Sequence, residues 1–183
     1  MTPKYGLREV FGMTEEKVLT AAEQIQQAEE VARGYFKQGL NCSECVLASF
    51  LEVHGSELPH EVMTLCTGFG GGMGHTQNNC GAVAGAVMAL STVVGRTDPL
   101  AKETMEERVA ELQQGVYPKV GALVQDMEAL QGTLICRELC EPHGGFDSKE
   151  RKKNCMKLIG ACAALAMKHA LMAEGKLTEE AAE

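Results

Sequence analysis

The chain has 183 residues, of which 45% are hydrophobic and 23% are charged, the balance of a globular domain rather than of a disordered segment. Its net charge of −8 argues against a general nucleic-acid-binding protein, which needs a broad basic surface. Aromatic residues make up only 4% and tryptophan is absent, a composition that favours close-packed helices over sheets.

The first half of the chain predicts two helices followed by a glycine-rich loop. An amphipathic pattern predicts a helix over residues 14–38. A second helix is expected to begin at Asn41, because Glu44 stands three residues further on and would complete a capping box. Glycines dominate residues 68–74, which no regular helix or strand would favour.

The second half predicts further helices. Asn79 is expected to cap a helix of small apolar residues, and polar amphipathic helices are predicted over 98–130 with a break near Pro118. The last helix ends near residue 173 and begins after either Ser148 or Asn154. Since no stretch keeps the alternation of a strand, we predict an all-α fold, a single-domain helical bundle with a glycine-rich loop between helices.

The pattern divides the chain into three regions. Residues 1–26 are expected to form an N-terminal extension and the start of the first helix, 27–173 the cysteine-containing helical redox domain, and 174–183 a C-terminal tail. The first thirteen residues carry no apolar stretch of the kind found in secretory signals. No apolar stretch reaches the roughly 18–20 residues of a membrane span. We therefore expect a cytoplasmic protein without a membrane span.

Eight cysteines are the most informative feature of the sequence, because in the cytoplasm such a set favours metal or redox chemistry over structural disulfides. Cys42, Cys80 and Cys155 each follow an asparagine. An asparagine that caps a helix would place the next thiol beside free N–H groups and the positive end of the helix dipole, which favours the thiolate. For Cys155 this holds only if the last helix begins at Asn154.

Two further features carry candidate chemistry. Cys42 and Cys45 form a C-x-x-C motif, in which Cys42 would attack and Cys45 would resolve a disulfide. The glycine loop lacks the pattern of a nucleotide-binding loop, so it is either a tight reversal or a site of close backbone approach to a cofactor. The glycines expected beside such a cofactor are Gly70, Gly71, Gly72 and Gly81.

Several segments, taken in this order, resemble the redox-active family named for its C, GCAxxG, C, C pattern, over residues 28–166. They are Gly39-Leu40-Asn41-Cys42, the glycine loop, Cys80-Gly81-Ala82-Val83-Ala84-Gly85, Cys136-Arg137-Glu138-Leu139 and Cys155. Within the central motif, Asn79 replaces the first glycine, Gly81 replaces the alanine, and the last glycine falls one place late at Gly85.

The resemblance implies a helical, redox-active protein whose four family cysteines are Cys42, Cys80, Cys136 and Cys155. The same cysteine arrangement is similar to the iron–sulfur part of the split-Soret cytochromes, which implies a [4Fe–4S] or [2Fe–2S] cluster held by these four thiolates. It leaves the other cysteines without a role; these are Cys45, Cys66, Cys140 and Cys162.

Four hypotheses about function stay open at this point. The first is an iron–sulfur protein in electron transfer or redox sensing, as an oxidoreductase or as an electron carrier with an unidentified donor or acceptor protein. The second is a cofactor-free thiol–disulfide oxidoreductase that uses Cys42 and Cys45. The third is a structural zinc protein, and the fourth an interaction protein whose cysteines fill the core. The apolar helix faces fit packing within one chain and a homodimer equally well.

Overall fold

The computed structural model describes residues 19–178 and confirms the predicted all-α fold. Within this range no β-strand forms, apart from one isolated antiparallel bridge between Asn79 and Ile135. The helices in chain order are α1 (Ala21–Lys37), α2 (Cys42–Phe50), α3 (Gly70–Met73), α4 (Gly81–Val94), α5 (Met105–Ala110), α6 (Tyr117–Gln131), α7 (Cys136–Cys140) and α8 (Lys149–Ala173). Shorter helical turns are Leu51–Gly55, His60–Leu65, Thr67–Phe69, Glu111–Val116 and Glu141–His143.

Helix α8 is the central element of the bundle and packs against α1, α2, α4 and α6. Three of the nine buried residues of α8 are alanines, and Ala28 and Ala32 of α1 are also fully buried. At Gly160 an added Cβ would lie 2.6 Å from the Arg33 Nε atom, so α1 and α8 lie in close contact there. Small side chains let the helix axes approach closely, which explains how a core with so few aromatic residues fills its volume.

By length and composition alone, α8 could cross a membrane, although 44% of its most apolar window is buried inside this fold. The continuous apolar stretch within this helix is shorter than a membrane span, whereas the whole helix is 25 residues long. A helix buried on several sides in a soluble bundle is apolar for the same reason as a membrane helix, because both avoid water. The absence of a membrane span stays a prediction.

The observed helix starts confirm one predicted cap and correct others. The Asn41 side chain accepts hydrogen bonds from the Ser43 and Glu44 amides, and the Glu44 carboxylate accepts one from the Asn41 amide, as the capping-box pattern predicts. The first helix begins after Thr20 instead of near residue 14, which lies outside the described residues.

The predicted cap at Asn79 is wrong, because its backbone is extended and bridges to Ile135. Cys80 itself takes the N-cap position of α4. The alternative cap at Asn154 is excluded as well, since Ser148 caps α8 and its hydroxyl accepts from the Arg151 amide at 2.9 Å. The Asn79 side chain instead donates to the Cys80 carbonyl at 3.4 Å, and the bridge to Ile135 holds its backbone outside the helix start.

The predicted polar helices over 98–130 begin later than expected, at Met105. Thr104 and Glu107 form a capping box there, whereas Asp98 only closes a turn onto the Leu100 amide. The predicted break appears as a π-helical segment, Glu111–Val116, that joins α5 to α6 just before Pro118. Proline lacks the amide that continues an α-helical ladder, so the backbone bonds are rearranged before it.

Asn41→Ala is expected to destabilise the protein by about 1–2 kcal/mol, because it removes the cap of α2. The same side chain also donates to the Thr67 carbonyl at 3.0 Å. Asn154→Ala is the matched control, since Asn154 also precedes a cysteine but lies inside α8. Urea unfolding of the two variants measures the difference, and equal destabilisation would contradict the cap assignment.

Candidate functional site: a cavity lined by cysteines

One cavity of about 160 Å³ lies where the N-terminal ends of α2, α4 and α7 meet the flank of α8. This is far more than the roughly 10–15 Å³ that one water requires. Five of the eight cysteines line it: Cys42, Cys80, Cys136, Cys140 and Cys155. The four cysteines that the sequence singled out as metal ligands therefore face a common space, together with one that it left without a role.

Helix starts explain why these thiols converge. Cys42 and Cys136 are the first residues of α2 and α7, and Cys80 is the N-cap of α4. The N-terminal part of α7 is anchored because the Cys136 amide donates to the Asn78 carbonyl at 2.7 Å. Cys155 lies within α8, with its side chain toward the same cavity. Three helix N-termini, each with the positive end of its helix dipole, are thus directed at one space.

The glycine loop becomes a tight turn against the cysteine-bearing segments. Gly71 and Gly72 adopt left-handed backbone angles, with φ of 64° and 72°. At Gly72 an added Cβ would lie 2.7 Å from the Cys136 Cβ atom, and at Gly70 it would lie 2.9 Å from the Asn41 Cβ atom. Of the four glycines expected beside a cofactor, Gly71 and Gly81 line the cavity, whereas Gly70 and Gly72 pack against protein around it.

Burial, rather than the helix dipole, decides the protonation of these thiols. The pKa of Cys42 is raised to about 12, mainly by desolvation and then by the nearby sulfurs of Cys80 and Cys155. The Gly71 amide lowers it by a smaller amount. Desolvation, with the neighbouring Cys140 second, also raises the pKa of Cys136 to about 12. The sequence argument that helix starts favour the thiolate is therefore wrong for the metal-free protein, because desolvation is the larger effect.

Groups that stabilise a thiolate nevertheless face two other sulfurs. Burial raises the pKa of Cys80, and the backbone amides of Val83 and Ala82 oppose this. Burial likewise raises the pKa of Cys155, against the Arg151 guanidinium, whose nearest nitrogen lies 4.0 Å from the Cys155 sulfur. The site is built to hold negative charge on sulfur once something replaces the proton.

Arg151 is a site residue that sequence reasoning missed, because a short basic run such as 151–153 is typical of a solvated helix face. Its guanidinium stacks on the Phe146 ring at 4.3 Å, and Phe146 in turn meets His75 edge-on. The Nε atom is buried and has no hydrogen-bond partner. A spacing of four residues places Arg151 on the same helix face as Cys155, which is the pattern that would have identified it.

The C-x-x-C motif does not present both of its thiols to the cavity. Cys42 lines the cavity, whereas Cys45 is fully buried in the core and its thiol faces the Leu40 carbonyl at 3.5 Å. Burial raises the pKa of Cys45, so it is neither exposed nor activated. Cys66 and Cys162 are also fully buried outside the cavity lining.

Among residues 19–178, no three His, Cys, Asp or Glu side chains stand close enough together to hold a single metal ion. A tetrahedral zinc site with metal–sulfur bonds near 2.3 Å would require its sulfurs to lie about 3.8 Å apart. A polynuclear cluster distributes its thiolates over different iron atoms and so separates them further. The spacing thus gives no support to a structural zinc site.

The family model described as "Putative redox-active protein (C_GCAxxG_C_C)" matches residues 40–169. This range contains all five cysteines of the cavity and both segments that close it, the glycine turn and α7. Neither a curated protein nor a solved structure matches the chain.

In the metal-free, reduced protein, Cys42 is expected to react with iodoacetamide at pH 7 on the order of a hundredfold more slowly than in the unfolded chain. The reason is that burial raises its pKa from 9.0 to about 12. This lowers the thiolate fraction at pH 7 about a thousandfold, and the greater nucleophilicity of a more basic thiolate recovers about tenfold of the rate. The rate should keep rising with pH beyond the value at which an exposed cysteine levels off. Mass spectrometry of the alkylated peptides measures this, and fast selective labelling of Cys42 at mildly acidic pH would contradict it.

Proposed function

The chain belongs to the C_GCAxxG_C_C family of redox-active proteins, and from this premise we propose that its cavity binds an iron–sulfur cluster. The proposed ligands are the thiolates of Cys42, Cys80, Cys136 and Cys155, and the cluster would be of the [4Fe–4S] or [2Fe–2S] type. When bound, it would supply one-electron transfer, for an electron carrier or a redox sensor. The observation that carries the proposal is that these four thiols, from four separate helices, line one cavity.

The donor set fits such a group in its chemistry. Thiolates are the ligands that iron–sulfur clusters use, and four of them are sufficient for either cluster type. Apolar side chains make up much of the remaining lining: Phe36, Leu139, Phe146, Leu158 and Ile159. An apolar shell of this kind limits solvent access to a cluster and tunes its potential.

The electrostatics of the cavity also support an anionic, metal-bound occupant. Without metal, burial and the mutual repulsion of the sulfurs keep the protons on the thiols. A bound metal replaces those protons and makes thiolate the stable form. The half-buried Arg151 guanidinium then faces a negative site instead of neutral thiols. The amides of Gly71, Ala82 and Val83 act in the same way on the sulfurs of Cys42 and Cys80.

The alternative of a cofactor-free thiol–disulfide oxidoreductase based on Cys42 and Cys45 has less support. Its attacking thiol would have a raised pKa, and its resolving thiol lies outside the cavity. A resolving thiol must reach the sulfur of its partner, and the Cys45 thiol instead faces the Leu40 carbonyl in the core. The electron partner in our proposal is a further protein, and nothing in the cavity selects a small-molecule substrate.

The proposal is tested by anaerobic reconstitution of the full chain with iron and sulfide. We expect a brown protein with visible charge-transfer absorption and iron and sulfide bound in equal amounts. Native mass spectrometry separates this result from zinc binding, in which metal is present without sulfide. A colourless protein without bound iron and sulfide would refute the proposal.

Cys42→Ser and Cys80→Ser are each expected to lower cluster content by about tenfold, in line with the loss of metal affinity on removal of a thiolate from its site. Cys66→Ser is the control, because Cys66 is fully buried but does not line the cavity. It should load like the wild type. Comparable loading of the three variants, measured as iron and sulfide per chain, would exclude the proposed ligand set.

Arg151→Gln is expected to lower the reduction potential of the bound cluster, because the guanidinium stabilises the more negative, reduced state. Lys152→Gln removes the same charge from an exposed neighbour and serves as the control. Exposed charges are screened by solvent, so its effect on the potential should be small. Redox titration followed by absorption measures both variants, and equal shifts would mean that Arg151 acts only through net charge.

A further inference from the structure

Cys140 is a fifth thiol in the cavity and is not one of the four family cysteines. It is the last residue of α7, one turn beyond Cys136, and only 1% of it is exposed. Its charge would act on the sulfurs of Cys80, Cys136 and Cys155, so it lies among them rather than behind them. The proposed cluster leaves this thiol unused.

Cys136 and Cys140 stand four residues apart on α7, and both line the cavity. Helix geometry places the Cα atoms of residues four apart at about 6.2 Å, within the roughly 4.4–6.8 Å range that disulfides span. The Cβ atoms of such a pair stand about 5–6 Å apart, whereas a disulfide brings them to roughly 3.8 Å. A bond between these two sulfurs thus requires only a short movement of one end of α7.

The C-terminal end of α7 is the end that can move. Its N-terminal end is held by bonds from the Cys136 and Arg137 amides to the Asn78 and Gln77 carbonyls. Cys140 is followed by a short 3₁₀ turn and by two glycines with positive φ. The last backbone hydrogen bond of α7, from the Glu141 amide to the Arg137 carbonyl, would open when this end moves. The other cavity cysteines belong to helices that pack in the core and cannot shift as locally.

We propose that Cys136 and Cys140 form a reversible dithiol–disulfide couple in the cavity wall, with a small-molecule disulfide as the oxidant. One cysteine sulfur loses its proton and attacks the small disulfide, whose sulfur–sulfur bond breaks and releases one thiol. The second cysteine sulfur then displaces the other half, which leaves as a second thiol. Two electrons pass from the two cysteines to the small disulfide, and both cysteine protons end on the two thiols released.

Because the closing movement strains α7, this disulfide is readily reduced again, as strained disulfides are. Its consequence for the cluster depends on the function proposed above. Cys136 cannot hold a disulfide and ligate iron at the same time, so oxidation would remove one of the four ligands. The pair would then couple the thiol–disulfide balance of the surroundings to cluster binding.

The couple is tested first in the metal-free, reduced full chain, which is incubated with glutathione disulfide, quenched and digested with trypsin. Trypsin cleaves after Arg137, between the two cysteines, so their disulfide appears as two linked peptides. We expect this pairing to exceed any other by about tenfold, because both thiols line one cavity from one short helix, whereas the Cys45 thiol faces away from Cys42 toward the Leu40 carbonyl. Cys140→Ser should abolish it and Cys66→Ser should retain it. A different main pairing, or glutathione adducts without an internal disulfide, would overturn the inference.

The second arm compares reconstitution of the oxidised and the reduced chain with iron and sulfide. We expect the oxidised wild type to load at least about tenfold less, with full recovery after treatment with a dithiol reductant, and Cys140→Ser to load equally after either treatment. Equal loading of oxidised and reduced wild type would overturn the coupling. If the reduced wild type does not load at all, the proposed function fails, while the peptide mapping still decides whether the couple exists.

Discussion

The burial of several thiols in one apolar cavity is the constraint on which the rest of the structure depends. A neutral thiol tolerates such a place, whereas a bare thiolate there loses its hydration and meets the charge of its neighbours. Cys42 and Cys136 show this as pKa values raised to about 12. The cavity therefore favours two states, protonated thiols or sulfurs bonded to something other than hydrogen, and both proposals concern the second state.

Burial raises the pKa values of the cavity thiols, whereas the amides at the helix N-termini lower them. The balance between the two effects depends on what occupies the cavity. The amides near Cys42 and Cys80 are too weak to ionise these thiols in the metal-free protein. They become effective once metal ligation removes the proton, because they then solvate a charge that water cannot reach. The same amides thus contribute little to thiol reactivity and much to holding a metal-bound thiolate.

The sequence predicted the features that local interactions determine, and it missed those that tertiary packing determines. The helical fold and the cap at Asn41 follow from propensity and short-range hydrogen bonds, which a sequence displays directly. The cap at Asn79 failed because a segment 56 residues later pairs with its backbone, and no local pattern indicates that pairing. The four-cysteine pattern predicted which thiols lie at the site, but the fifth thiol and Arg151 emerged only from the packing of α7 and α8.

The two glycines that depart from the family motif explain how the cavity keeps its dimensions. Gly81 and Gly85 are four residues apart and so lie on one face of α4. An added Cβ at Gly81 would stand 2.6 Å from the Phe69 carbonyl oxygen and 3.2 Å from the Cys42 Cβ atom. At Gly85 it would stand 2.7 Å from the Ser43 carbonyl oxygen. Both glycines therefore bring α4 against the start of α2, and this contact holds Cys42 and Cys80 at the same cavity. The shift of the last motif glycine by one residue gives it an i, i+4 relation to Gly81, so that both positions without a side chain lie on the face of α4 that meets the start of α2.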